Sequence, residues 1–177
     1  LANAAGVGGR PLNLRYRAYA LGNRDTTDEN EAWQTVAGIM GTAFNWDFDF
    51  DFVWSRNKTS SRPNGGFARY TDIVPLLNSG RVNPFGPNTP AVQAEIDAIQ
   101  FREETLSAES TGYMLEGKAT GDLFKLPAGS MAGAFGFQAG KQELTQRFNP
   151  ALQAGNVTGF GGNSLNIDAD RDWWAAF

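Results

Sequence analysis

The segment from Phe44 to Trp54 alternates aromatic side chains with side chains that are mostly polar. The aromatic set contains Phe44, Trp46, Phe48, Phe50, Phe52 and Trp54. Between them stand three acids, Asp47, Asp49 and Asp51. Successive side chains of a β-strand point to opposite faces, so an alternation of this kind predicts a strand rather than a helix. The segment is therefore expected to have one aromatic and one acidic surface.

The aromatic surface of this strand needs a wide apolar partner. A strand of a soluble protein usually has about 5 or 6 residues, whereas a tilted membrane-spanning strand has about 9 to 11. The segment 44–54 has the greater length, and lipid is a partner that could accept its whole aromatic face. The alternative is a long strand of a soluble β-sandwich, with the aromatic face in the core and the acids in water.

The acids of this strand do not fit a calcium loop. Asp-x-Asp-x-Asp opens an EF-hand, which also requires a glycine at its sixth position and a glutamate at its twelfth. Counted from Asp47, those positions hold Phe52 and Lys58. We therefore expect no metal site here.

Composition excludes several classes of function. The chain has 177 residues and contains neither cysteine nor histidine, which removes disulfides, thiolate or imidazole metal sites and Ser-His or Cys-His catalysis. Its 15 basic and 19 acidic residues include no dense basic cluster, so nucleic acid is not an expected partner. The adjacent pair Glu103 and Glu104 is better explained as a solvated surface than as a catalytic pair. We expect no enzyme and no cofactor.

The rest of the chain indicates an all-β protein with one short helix. The predicted strands cover about 12–21, 32–41, 44–56, 111–124, 130–142 and 164–177. A long irregular loop is predicted over 57–109, with a helix near 90–102 that begins at the capping pair Thr89-Pro90.

The predicted connections alternate in length. Those near 41–44 and 125–129 are short, whereas those over 22–30, 57–109 and 143–163 are longer. Outer-membrane barrels show this parity, because their periplasmic turns are short and their extracellular loops are long. The pattern favours an antiparallel transmembrane β-barrel segment.

The region 121–144 resembles the barrel of TonB-dependent outer-membrane receptors. Its first nine residues, 121–129, are Gly-Asp-Leu-Phe-Lys-Leu-Pro-Ala-Gly. In the family a strand ends at Gly-Asp-Leu-Phe and a Leu-Pro-Ala-Gly turn follows. The next strand of the family carries Gly-x-Glu-Tyr-Arg-x-Glu, and here Gln138 replaces the first glutamate and Gly140 the arginine. The aromatic strand, the run Asn83-Pro84-Phe85-Gly86 and the ending 171–177 are similar to the family in the same order.

The resemblance implies that residues 1–177 form part of a receptor barrel in the outer membrane of a bacterium. Barrels of the family have about 22 strands, so the six strands predicted here are too few to close one. Neither a plug domain nor a TonB box is recognisable in this sequence. The implied function is TonB-energised uptake of a small-molecule nutrient, a ferric siderophore or an oligosaccharide. The implied partners are the remainder of the receptor, the TonB complex through the missing plug, and outer-membrane lipid. The alternatives are a soluble secreted β-sandwich that binds carbohydrate and a small independent barrel of about eight strands.

The strand predictions and the resemblance together assign three sets of residues. The aromatic set of 44–54 is expected to face lipid. The expected lumen-facing residues are Asp47, Asp49, Asp51, Arg15, Arg17, Glu116, Lys118, Asp168 and Asp170. The ligand-binding candidates in the extracellular loop are Arg62, Phe67, Arg69, Tyr70 and Arg81.

Overall fold

The computed structural model describes residues 18–162 and 164–177, which form mainly β-structure. Five antiparallel strands make one sheet in the order β1-β2-β3-β4-β5. They are β1 (Asp25–Ala43), β2 (Trp46–Gly65), β3 (Leu106–Leu126), β4 (Gly129–Phe148) and β5 (Ile167–Ala176). Within the described residues β1 and β5 do not pair with each other, so the sheet is open. The expectation of a mostly β, antiparallel structure is therefore confirmed.

Four of the strands are much longer than the sequence predicted. β1 to β4 contain 19, 20, 21 and 20 residues, whereas β5 contains 10. The predicted strand over 32–41 is only the middle of β1, because the polar run that precedes it continues the pairing with β2. The predicted strand over 12–21 is wrong in its described part, since Tyr19–Leu21 is a 3₁₀ turn. Residues 12–17 lie outside the described part of the chain.

Two-residue turns join β1 to β2 and β3 to β4. Phe44 and Asn45 have φ values of 55° and 64°, which is the backbone of a type I′ hairpin turn. Phe44 therefore leaves the strand, and its side chain is 96% exposed. The expectation that Phe44 continues the aromatic strand surface is wrong, because the turn reverses the chain one residue after it. Pro127 and Ala128 form the second turn.

The long connections at the other end of the strands fold into a small unit. We call this unit the cap: it consists of residues 66–105 and 149–162, together with residues 18–24, which pack against them. It contains α1 (Tyr70–Asn78), α2 (Pro90–Ala98) and α3 (Pro150–Gln153). The prediction of an irregular loop over 57–109 is thus wrong, since its start belongs to β2 and its remainder is largely cap. The predicted helix does begin at Pro90, where the Thr89 hydroxyl accepts a hydrogen bond from the Val92 amide at 3.4 Å, but it ends at Ala98.

The buried core lies in the cap and not on the sheet. One cluster joins α1 and α2, and the second joins α3 to the segments on either side of the helices. The buried apolar side chains are Leu21, Phe67, Ala68, Ile73, Leu76, Val82, Val92, Ile96, Phe101, Leu152 and Val157. Among the described helices, none is long and apolar enough to cross a membrane.

Candidate functional site

The strand register extends the aromatic surface of β2 across all five strands. Residues directly opposite each other in antiparallel strands share a face, so each row of the sheet can be followed from strand to strand. One row joins Ile39, Phe50, Gly117, Phe137 and Ala176. We call the whole surface the aromatic face. Its larger members are Ile39, Trp46, Phe48, Phe50, Phe52, Trp54, Tyr113, Leu115, Phe135, Phe137 and Trp174.

The aromatic face is open to its surroundings. Phe50 and Phe52 are 42% and 44% exposed, and Trp174 on the edge strand is 81% exposed. The described residues form no second sheet and no helical layer over this surface. An apolar surface of this extent on a single-layered sheet indicates contact with another apolar phase or another chain.

Glycines opposite the rings let the aromatic side chains lie flat on the sheet. A Cβ atom at Gly117 would stand 2.4 Å from the Phe137 ring and 2.9 Å from the Phe50 ring. Trp46 lies over Gly121 in the same way, and its indole stacks on the Phe135 ring with centroids 5.8 Å apart. The rings therefore occupy space that a side chain at these glycine positions would fill.

A charged zone adjoins the aromatic face on the side of the cap. Arg56 forms a double salt bridge to Glu109, with both distances 2.8 Å, two residues beyond Trp54. On β4 and β5 the pairs are Lys141 with Glu143 at 2.7 Å, and Arg147 with Asp168 at 2.6 Å. The apolar part of β2, from Trp46 to Trp54, contains nine residues, which is the length of a tilted membrane-spanning strand, about 9 to 11 residues.

The opposite surface of the sheet carries the acids of β2, and we call it the acidic face. Asp49 stands opposite Lys118, and Asp51 opposite Glu116. Glu116 accepts a hydrogen bond from the Gln138 amide at 2.9 Å. Asp47, Asp49, Asp51, Glu116 and Lys118 therefore share one face, as the sequence predicted, whereas Arg15 and Arg17 lie outside the described residues.

Two predicted members of this set lie on the wrong side of the sheet. Asp170 pairs with Glu143 and Asp168 with Thr145, which places both acids on the aromatic face, within its charged zone. The acidic face receives Arg171 instead, whose guanidinium donates to the Gln142 side-chain oxygen at 2.8 Å. The expectation that Asp168 and Asp170 face the same side as Asp47 is therefore wrong, because the β4–β5 register sets the opposite orientation.

Three of the five ligand-binding candidates stabilise the cap itself. Phe67 is only 6% exposed and packs against Phe160, with ring centroids 4.9 Å apart. Arg69 forms a salt bridge to Glu103 at 2.5 Å, and its guanidinium lies 5.3 Å from the centre of the Phe101 ring. These contacts hold both side chains in place for structural reasons.

Arg81 also has an internal partner. Its guanidinium binds both carboxylate oxygens of Glu95, at 2.6 and 2.7 Å, and so ties the end of α1 to α2. Hydrogen bonding to Arg81 lowers the pKa of the Glu95 carboxyl, and the same pair raises the pKa of Arg81. The sequence signal for this pair was weak, because the two residues stand far apart along the chain.

Arg62 and Tyr70 remain accessible and line two different cavities. Arg62 lies in a polar cavity of about 840 Å³ between the cap ends of β1 and β2, together with Glu29, Glu31 and Lys58. Tyr70, 46% exposed, lines a cavity of about 850 Å³ in the cap. The five candidates therefore do not form one site.

The sequence analysis missed Arg24, which borders the second cavity. Its guanidinium lies 5.4 Å from the centre of the Phe67 ring. Nothing in the local sequence Asn23-Arg24-Asp25 distinguishes this arginine from other surface arginines, because its neighbours Phe67 and Gly159 come from distant parts of the chain. No group of acidic residues in the described part of the chain could hold a metal ion.

Comparisons with protein-family models, with characterised proteins and with solved structures found no match to this chain.

Proposed function

We propose that this chain forms part of a transmembrane β-barrel in a bacterial outer membrane. In this arrangement the aromatic face contacts lipid and the acidic face lines the lumen. The observation that carries the proposal is the uncovered aromatic face, which extends over five strands. Lipid accepts such a surface, whereas a charged side chain at the middle of the bilayer costs about 2 to 4 kcal/mol for lysine or arginine.

The connections support the same orientation. Both described two-residue turns lie at one end of the sheet, and the cap lies at the other. Outer-membrane barrels have short turns on the periplasmic side and long loops outside, so the cap would stand on the extracellular side. The free edges of β1 and β5 would pair with further strands, because unpaired backbone groups are not tolerated in hydrocarbon.

The proposed activity is nutrient uptake by a TonB-dependent receptor. The support is the resemblance of the Gly-Asp-Leu-Phe and Leu-Pro-Ala-Gly segments, which form the end of β3 and the turn before β4. In such a receptor the cap would meet the nutrient, a ferric siderophore or an oligosaccharide, before a plug domain energised by TonB admits it. The alternative of a soluble sandwich would need a second layer on the aromatic face, and the described residues supply none.

Membrane assembly of two variants on neighbouring positions tests the proposal. Phe50→Asp places a charge at the middle of the aromatic face, whereas Asp49→Asn removes one from the acidic face. Each variant is expressed as the full-length protein. The outer-membrane and soluble fractions are then blotted with an antibody against the cap, with and without boiling in detergent.

We expect the unchanged protein and Asp49→Asn in the outer membrane, with a band whose mobility shifts on boiling, and Phe50→Asp to be depleted there. A soluble band for the unchanged protein, or equal behaviour of the two variants, would contradict the barrel. Uptake is tested separately: nutrient accumulation that persists after a protonophore dissipates the inner-membrane gradient would contradict the TonB-energised receptor.

A further inference from the structure

The cap contains a cavity with an apolar floor and a polar rim. It has a volume of about 850 Å³ and lies between the 3₁₀ turn, α1 and the segment around Thr158. Leu21 and Ile73, each 4% exposed, form part of the floor, and Arg24, Asn23 and Tyr70 stand around it. Cavities of about 300 to 1,000 Å³ with few polar groups are typical binding sites for small molecules.

Arg24 is held at this cavity by its neighbours on two sides. Its guanidinium lies over the ring of Phe67, which is itself fixed in the core of the cap. Gly159 provides the second side: a Cβ atom there would stand 2.5 Å from a terminal nitrogen of Arg24. Gly159 has φ +81°, a conformation that other residues rarely adopt, so the absence of a side chain at this contact is built into the backbone.

The charge of Arg24 is not neutralised within the described residues. None of the salt bridges among the described residues involves Arg24. Their cations are Arg56, Arg69, Arg81, Lys141 and Arg147. With the Phe67 ring on one side of the guanidinium and Gly159 on the other, the edge that carries its N–H groups is left able to bind an anion. The planar guanidinium of arginine matches a carboxylate through two parallel hydrogen bonds.

We propose that this cavity binds a small amphipathic organic anion through its carboxylate. Arg24 holds the carboxylate, and the apolar part of the molecule lies on Ile73, Val74 and Leu77, beside the ring of Tyr70. The idea that this anion is the nutrient taken up by a receptor rests on the proposed function. Binding of the anion to the cap does not, because it can be measured on the purified protein whether or not that protein is found in a membrane.

Calorimetric titration with two matched probes tests the site. The probes are 2-naphthoate and 2-naphthamide, which have the same ring system and differ in charge. The intact protein is titrated in lipid nanodiscs, with empty nanodiscs as the blank, or in buffer if it proves soluble. We expect the naphthoate to bind more tightly than the amide. No binding, or equal affinity for the two probes, would overturn the proposal.

Substitution of Arg24 then separates its charge from the shape of the cavity. Arg24→Gln should weaken naphthoate binding by about 10- to 100-fold, as expected for a hydrogen-bonded charge, and leave the amide unchanged. Arg24→Lys should be intermediate, since it keeps the charge but loses the planar pair of donors. The matched control is Arg171→Gln, the same substitution on β5. An equal loss for both probes in Arg24→Gln would refute the role of the charge.

Separate measurements identify which proposal has failed. If the protein is soluble and binds naphthoate through Arg24, the barrel proposal is contradicted and the anion site is supported. If the protein is a heat-shifting outer-membrane protein with no preference for naphthoate, the barrel proposal is supported and the anion site is contradicted.

Discussion

Gly121 is a position at which one added methyl group should disturb the aromatic face, because both of its close neighbours are fixed. A Cβ atom there would stand 2.7 and 2.8 Å from Cδ2 and Cγ of Trp46, and 2.9 Å from the carbonyl oxygen of Asn45. Rotation of the indole about χ2 leaves Cγ in place, and a change in χ1 would move the ring off its stack on Phe135. The carbonyl oxygen belongs to the tight turn before β2. Neither neighbour can therefore give way cheaply.

The expected loss follows from two opposing terms. Overpacking a tight site costs about 1 to 3 kcal/mol, whereas replacing a strand glycine by alanine gains about 0.5 to 1 kcal/mol in backbone entropy. Gly121→Ala should therefore lower the free energy of unfolding by about 1 kcal/mol, within limits of about 0 and 2.5 kcal/mol. Gly41→Ala is the matched control: Gly41 lies on the same face, and a Cβ atom there would have no heavy atom within 4 Å. It should be neutral or stabilising.

Guanidinium denaturation followed by tryptophan fluorescence compares the two alanine variants. A near-ultraviolet circular dichroism spectrum reports on the stack of Trp46 on Phe135, which Gly121→Ala should weaken. If Gly121→Ala were as stable as Gly41→Ala and kept the spectrum of the unchanged protein, the inferred contact between the glycine and the indole would be wrong.

The remaining predictions concern the cap. Ile96→Ala should destabilise it by about 2 to 5 kcal/mol, since Ile96 is 1% exposed, and should speed proteolysis of the cap, whereas Val74→Ala, at a position 42% exposed, should change it little. Hydrogen bonding from Asn149, and then from Arg69, lowers the pKa of Glu103, so its contribution is present above the normal glutamate pKa and is lost as pH falls through the folded-state value. Proteolysis of the cap should therefore accelerate in acid, and less so in Glu103→Gln; an identical pH profile would contradict this linkage.

The sequence was most informative where a pattern is local. The alternation of 44–54 predicted the β2 strand and its two surfaces, except that Phe44 lies in the turn, and Thr89-Pro90 predicted the start of α2. Both signals depend on neighbouring residues and need no knowledge of the rest of the fold. The lengths of β1 and β2 were underestimated because their ends near the cap are polar on both faces and look like loops.

Features that depend on distant pairing were not predictable in the same way. Alternation shows that the side chains of Asp168 and Ile167 point to opposite faces of the sheet. Only the register with β4 determines which of them shares a face with Asp47. A shift of one residue in register exchanges the two faces of a strand. The cap was missed for a related reason: its core joins Phe67 to Leu152, which lie far apart in the sequence.

The two tight turns also determine the order in which this sheet can assemble. β1 and β2 are joined only by Phe44 and Asn45, and β3 and β4 only by Pro127 and Ala128, so each hairpin can close through local contacts. Pairing of β2 with β3 instead has to bring together residues on either side of 66–105. The entropic cost of closing that segment is smaller once the cap has folded around its own core. We therefore expect formation of the cap to bring the two hairpins together and so to favour pairing of β2 with β3.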